Sequence, residues 1–119
     1  MKGTNKMKVF NYRKVKAEDA GEGSFKTTVR WLLTKDLGAE NFAMRLFEIE
    51  PGGYTPFHSH PWEHEVFVLE GEGLLVGEKK EEKFRTDDVV FVPPNEKHQF
   101  KNLGDKTLKF ICLIPYKHG

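Results

Sequence analysis

Three of the chain's five histidines, His58, His60 and His64, fall within seven residues, and a fourth, His98, comes 34 positions after His64. Imidazole is a good ligand for first-row transition metals. In a strand, side chains two residues apart point the same way, so His58 and His60 are expected to project side by side from one surface. Pro61 and Trp62 allow a bend, and His64 then opens a further strand that can fold back beside the first. His98 lies on another strand, behind a Pro93-Pro94-Asn95 turn. Four neutral rings converge only if these strands share one interior. A metal there accounts for polar rings gathered in a core, because each buried nitrogen finds a strong partner. A single histidine in a strand is more often a satisfied surface or core residue; the grouping is what points to a metal. The fifth, His118, at the C-terminal end, is read as idle.

The elements that must position these rings are short apolar stretches cut by turn signals. Residues 26–33, 42–49, 54–60, 63–69, 74–76, 82–85, 89–92, 97–102 and 107–114 read as strands. Pro51-Gly52-Gly53, Pro61, the Gly-Glu-Gly of 71–73, Thr86-Asp87-Asp88, Pro93-Pro94-Asn95 and Leu103-Gly104-Asp105 punctuate them. Short strands at nearly regular spacing argue for an all-β sandwich or antiparallel barrel. A single helical turn is expected at 16–20. The mixed charge run 78–83 reads as a solvated hairpin tip. Residues 1–8 read as a flexible tail and 9–119 as one domain.

Composition bounds the function. A chain of 119 residues with 38% apolar and 31% charged residues suits one globular domain. Nineteen basic against eighteen acidic side chains leave a net +1, which excludes binding to nucleic acid or an acidic membrane driven by net charge. One cysteine, Cys112, excludes a disulfide within the chain. The longest apolar runs, 89–92 and 110–114, fall far short of the ~20 residues of a membrane span. The N-terminus has no apolar stretch of the secretory type, so a cytoplasmic location is expected.

Gly52-x5-His58-x-His60-x3-His64-x6-Gly71 resembles the first motif of the cupin superfamily, G-x5-H-x-H-x3,4-E-x6-G. Asp87-x5-Pro93-x-Asn95-x2-His98-x3-Asn102 resembles the second, G-x5-P-x-G-x2-H-x3-N. The resemblance implies a small antiparallel β-barrel of jelly-roll type with a metal held inside by His58, His60, the motif-1 glutamate position and His98. Asp87 and Asn95 replace two motif glycines, and both types tolerate left-handed backbone. The chemical departure is at the glutamate position: with the six intervening residues that the motif puts before Gly71, the position is His64, whereas the looser spacing would select Glu65. Alternation puts His64 with Val66 and Val68 on one face and Glu65 with Phe67 and Leu69 on the other; the count to Gly71 favours His64. The wider pattern is similar to small prokaryotic single-domain cupins with a four-histidine manganese site. That resemblance implies one divalent metal per chain, manganese first and iron, nickel, copper or zinc as alternatives, with a homodimer.

Parity also suggests which residues line the site. Phe100 shares a face with His98, and Phe110, Cys112 and Ile114 share one face of the last strand. If that face is interior, Cys112 stands near the metal; otherwise it is a small buried apolar residue. Arg45, in line with Ala43, Phe47 and Ile49, either holds an anionic ligand or lies exposed. Trp62 either packs over the site or staples the turn. Four neutral ligands leave a divalent ion its full +2 and, in an octahedral complex, two open positions. The leading expectation is a metal-dependent oxidoreductase of dioxygenase type acting on a small organic molecule. The alternatives are a metal-dependent sugar or sugar-phosphate isomerase or epimerase, and a non-enzymatic small-ligand or metal-binding module. No catalytic residue is singled out.

Overall fold

A computed structural model describes residues 6–116. The expected tail 1–8 lies mostly outside them, and so does His118. Nine strands form a curled antiparallel sheet: β1 (Glu18–Asp19), β2 (Phe25–Leu33), β3 (Phe42–Tyr54), β4 (His64–Glu70), β5 (Glu72–Gly77), β6 (Glu81–Arg85), β7 (Val89–Val92), β8 (His98–Asn102) and β9 (Leu108–Pro115). Their order is β6-β5-β8-β3-β9-β4-β7, with β2 pairing β3 from Met44 to Tyr54 and β1 pairing β2. The fold is all-β, a jelly-roll barrel. β3 and β9 form its longest continuous ladder, from Phe42↔Pro115 to Ile49↔Leu108.

Period-2 alternation decides what faces inward. In β9, Leu108, Phe110 and Cys112 are buried; in β4, His64, Val66 and Val68; in β8, His98, Phe100 and Asn102. The core packs Ile49, Val68, Leu108 and Phe110 at one end of the barrel, with Phe100 stacked on Phe110 at 4.8 Å and Phe47 stacked on Phe110 at 5.3 Å. Phe100 also meets the His98 ring edge-on at 6.2 Å, which joins this aromatic stack to the histidines.

Left-handed backbone recurs at the motif positions, and also at Lys26 in β2, where φ is 50° beside the register shift with β3. Gly52 and Gly71 adopt φ of +86° and +104°. Asp87 and Asn95, which stand where the resembled motif has glycine, adopt φ of 77° and 69°. All four motif turns therefore need left-handed backbone, which Gly supplies freely and Asp and Asn supply at modest cost. At Gly71 a Cβ would also sit 2.9 Å from the Leu108 Cα, so this turn is tight in space as well as in torsion.

Three local expectations are corrected. The helical turn expected at 16–20 is replaced by a 3-10 turn at Tyr12–Lys14, capped by the Asn11 side chain accepting from the Arg13 N–H, and by β1. The reason is a partner for the backbone: the exposed edge of β2 pairs with residues 18 and 19. The strand expected to stop at 49 runs on to Tyr54, because β2 resumes pairing at Phe25↔Tyr54 after a register shift that absorbs the Pro-Gly-Gly stretch. The strand expected at 54–60 ends at Tyr54; beyond it only His58 makes a β-bridge, to His98. Pro56 and Pro61 lack the N–H that a continuous ladder needs.

Candidate metal centre

The histidine segment is irregular, so backbone bonds rather than a ladder hold it in place. The His58 and His98 backbones exchange both hydrogen bonds, at 3.1 and 2.9 Å, which sets the two rings opposite one another. The Asn95 N–H donates to the His60 carbonyl at 2.7 Å, so the Pro-Pro-Asn turn pins the second ring. Thr55 ties the segment to β8 twice more: its N–H donates to the Phe100 carbonyl, and its hydroxyl accepts from the Phe100 N–H, both at 2.9 Å. Trp62 lies flat on the His60 ring at 4.4 Å and 2° between planes. The tryptophan therefore packs over the site.

The four rings form one cluster. His60 and His64 are 4.4 Å apart between centroids, His64 and His98 5.0 Å, and His58 lies 4.8 and 5.2 Å from His60 and His98. Nitrogens of His58, His60 and His98 all lie within 4.8 Å of one another; His64 stands outside this group of three, though its Nε2 is 2.8 Å from the His60 Nε2. Glu65 is on the outer face of β4, paired with Phe91 and Leu113, and is exposed.

Hydrogen bonds identify the free nitrogen of one ring. The His98 Nδ1 stands 2.8 Å from the Glu96 carbonyl. A carbonyl only accepts, so this nitrogen carries the proton and the Nε2 keeps its lone pair. Burial keeps the rings neutral. Desolvation, followed by repulsion from His60 and Arg45, pushes His64 down to about 2. Desolvation, followed by repulsion from His58 and His98, pushes His60 down to about 4. His58 and His98 are lowered too, chiefly by burial. Neutral imidazoles with convergent lone pairs are the form that binds a metal, so the residues present fit a divalent transition ion.

The rings open onto a cavity of about 190 Å³ lined also by Arg45, Phe47, Thr55, Phe100, Phe110 and Cys112. No carboxylate among the described residues lines it. Arg45 makes no ion pair among the described residues; its guanidinium lies over Phe47 at 4.9 Å and Trp31 at 5.2 Å, and its Nε is buried without a hydrogen-bond partner. Its Nη2 reaches the Cys112 Sγ at 3.2 Å and the His64 Nδ1 at 3.4 Å. Cys112 in turn sits 2.9 Å from the His64 Nδ1. Burial raises the Cys112 thiol above its usual range, and Arg45 opposes this. Sequence reasoning did not single out Thr55 or Trp31. Phe47 was visible through its parity with Arg45, but Thr55 sits in the stretch wrongly read as a strand.

The site is an antiparallel β-barrel with imidazoles gathered on its interior cavity. The family model "Cupin domain" matches residues 45–114. The chain belongs to the cupin family. It resembles the crystal structure of the polyketide cyclase RemF from Streptomyces resistomycificus, with 36% identity, a TM-score of 0.87, and coverage of 94% of this chain and 81% of that one. The oxalate-binding protein of Thermotoga maritima is 32% identical over 87 residues, 70% of each chain. The 1-methylthio-D-xylulose 5-phosphate methylsulfurylase of Rhodospirillum rubrum is 28% identical over 97 residues, which are 82% of this chain and 62% of that protein. The chain thus spans less than two thirds of the length of that relative.

Proposed function

We propose that the chain is a mononuclear metal-binding cupin that takes a small anionic organic molecule with oxygen donors. His58, His60, His64 and His98 would hold the metal, with manganese the first expectation and iron, nickel, copper or zinc the alternatives. The observation that carries this reading is Arg45: a guanidinium with no carboxylate partner, on the wall of a cavity with four neutral histidines and no acidic side chain. Four neutral ligands leave a divalent ion +2, and Arg45 adds +1, so the cavity selects anions. A divalent ion there would supply Lewis acidity to a bound carbonyl, carboxylate or enolate oxygen. Arg45 would orient the anionic end of the ligand, while Phe47, Phe100, Phe110 and Trp62 keep water from its other faces.

This reading is closer to non-oxidative chemistry on an enolisable or dicarboxylate ligand than to the dioxygenase chemistry expected first. A fully neutral ligand set disfavours a higher oxidation state, and an oxidisable thiol stands 2.9 Å from a proposed ligand. The likeness to a polyketide cyclase and to an oxalate-binding protein is consistent with it. A sugar-phosphate ligand is less well matched, since among the described residues Arg45 is the one basic side chain on the cavity wall besides the histidines. We further propose a cytoplasmic homodimer; no helix among the described residues is long and apolar enough to cross a membrane.

The test is metal analysis of protein purified without added metal, followed by calorimetric titration with oxalate and with a 1,3-diketone. One metal per chain and anion binding that disappears on chelation are expected. His64→Ala should weaken metal binding by about tenfold or more, and Glu65→Ala should leave it unchanged. A bound metal with no anion affinity would replace this reading by a non-enzymatic metal-binding module. Oxygen uptake on adding either probe would restore the oxidoreductase.

A further inference from the structure

The Arg45–Cys112–His64 contacts extend the reading of the metal centre, on which this inference rests. The two nitrogens of His64 face different environments. Its Nε2 points to the histidine cluster, 2.8 Å from the His60 Nε2. Its Nδ1 points away, to the Cys112 Sγ at 2.9 Å and the Arg45 Nη2 at 3.4 Å. If the Nε2 binds a metal, the neutral ring must carry its proton on Nδ1, and that N–H needs an acceptor. Arg45 has none to offer, because a guanidinium only donates. The sulfur is the acceptor that remains.

We propose that Cys112 is the positioning residue of the metal centre: its sulfur accepts hydrogen bonds from the His64 Nδ1–H and the Arg45 guanidinium, and so fixes the tautomer and direction of His64. Carboxylates and backbone carbonyls usually hold the outer N–H of a metal-bound histidine. His98 follows that pattern through the Glu96 carbonyl. At His64 the sulfur takes the place of the oxygen. The arrangement has a physical logic. A carboxylate at this position would pair with Arg45 and remove the cavity's free cation, whereas a thiol satisfies the ring and leaves Arg45 available to a ligand. The strands enforce it: Arg45↔Cys112 and Val66↔Cys112 are directly opposed pairs, so β3 and β4 flank the thiol on both sides.

The experiment compares the wild type with Cys112→Ala and Cys112→Ser. Each protein is stripped of metal and titrated with Mn(II) and Co(II), and the Co(II) optical and Mn(II) EPR spectra are recorded. Cys112→Ala removes the acceptor and should weaken metal binding by about 10–100-fold. Cys112→Ser restores an acceptor and should recover most of that loss. In the wild type, the Co(II) spectrum should lack sulfur-to-metal charge transfer, since the sulfur holds a ligand and is not one. Unchanged affinity and spectra in Cys112→Ala, with wild-type metal binding intact, would overturn the proposal and leave the metal centre standing. Intense charge transfer in the wild type would overturn it in favour of direct sulfur ligation. Failure of the wild type to bind metal would sink the metal-centre reading itself. If Cys112→Ala does not fold, Cys112→Val, which fills the space without an acceptor, takes its place: wild-type metal affinity and an unmoved Co(II) spectrum in that variant overturn the proposal.

Discussion

At the scale of single residues, the site is built from groups that burial keeps uncharged. His64 and His60 are pushed down to about 2 and about 4, first by desolvation and then by neighbouring positive charge. In an unfolded chain the same groups titrate near 6.5. The unfolded state therefore binds more protons than the native state as the pH drops below about 6.5, and stability falls with it. The stabilising contribution is fully present above the unfolded value and is lost progressively toward pH 4. Metal-free protein should show a falling melting temperature from pH 7 to pH 4.5, and His64→Phe should flatten that slope. A melting temperature independent of pH across this window would show that the rings are not held neutral by burial. With metal bound, protons and metal compete for the same lone pairs, so the loss on acidification should be steeper.

At the scale of elements, the turns between strands decide where the histidines arrive. Gly71 closes the turn from β4 to β5 at φ +104°, with the Leu108 backbone against its Hα side. A Cβ there meets both torsional strain and a clash. Gly71→Ala is expected to destabilise the fold by about 2 kcal/mol. Asp87 also has a left-handed φ, at 77°, but already carries a side chain. Asp87→Gly relieves that strain while giving the unfolded chain more freedom, so it should stay within about 0.5 kcal/mol of wild type. Urea unfolding of the two variants checks the contrast. Equal behaviour of the two would mean that torsion at these turns is unimportant.

At the scale of the whole molecule, the barrel keeps its chemistry inside but leaves an apolar face outside. Phe67, Val89, Phe91, Ile111 and Leu113, with the single carboxylate Glu65 among them, line a depression on the outer side of β7, β4 and β9, and Phe91 and Val89 are 58% and 75% exposed. β7 is also the last strand of its sheet, so one of its edges has no neighbouring strand. Exposed apolar patches with a free strand edge favour association. Light scattering at micromolar concentration is expected to return a dimer mass, and Phe91→Lys should shift it toward the monomer without changing metal content. A wild type that stays monomeric throughout would remove the dimer from the proposal.

The sequence by itself determined the strand periods, the turn residues and the identity of the grouped histidines, because alternation and backbone torsion are local properties. Parity put His64, Val66 and Val68 on one face of β4 and Glu65 on the other, and the motif count to Gly71 chose the first as the inner face, as the burial pattern has it. Local patterns failed where a distant partner decided the outcome. Residues 18 and 19 pair because the edge of β2 needs a neighbour, which no helical propensity at 16–20 could reveal. The stretch after Tyr54 carries two histidines without forming a strand, held instead by β8 and by the Asn95 turn. Only the tertiary structure brought Arg45, Cys112 and His64 together from β3, β9 and β4. Parity could say which way each side chain points, but contact between strands separated by up to 67 residues depends on their register in the curled sheet, and register is set by the packing of the whole core.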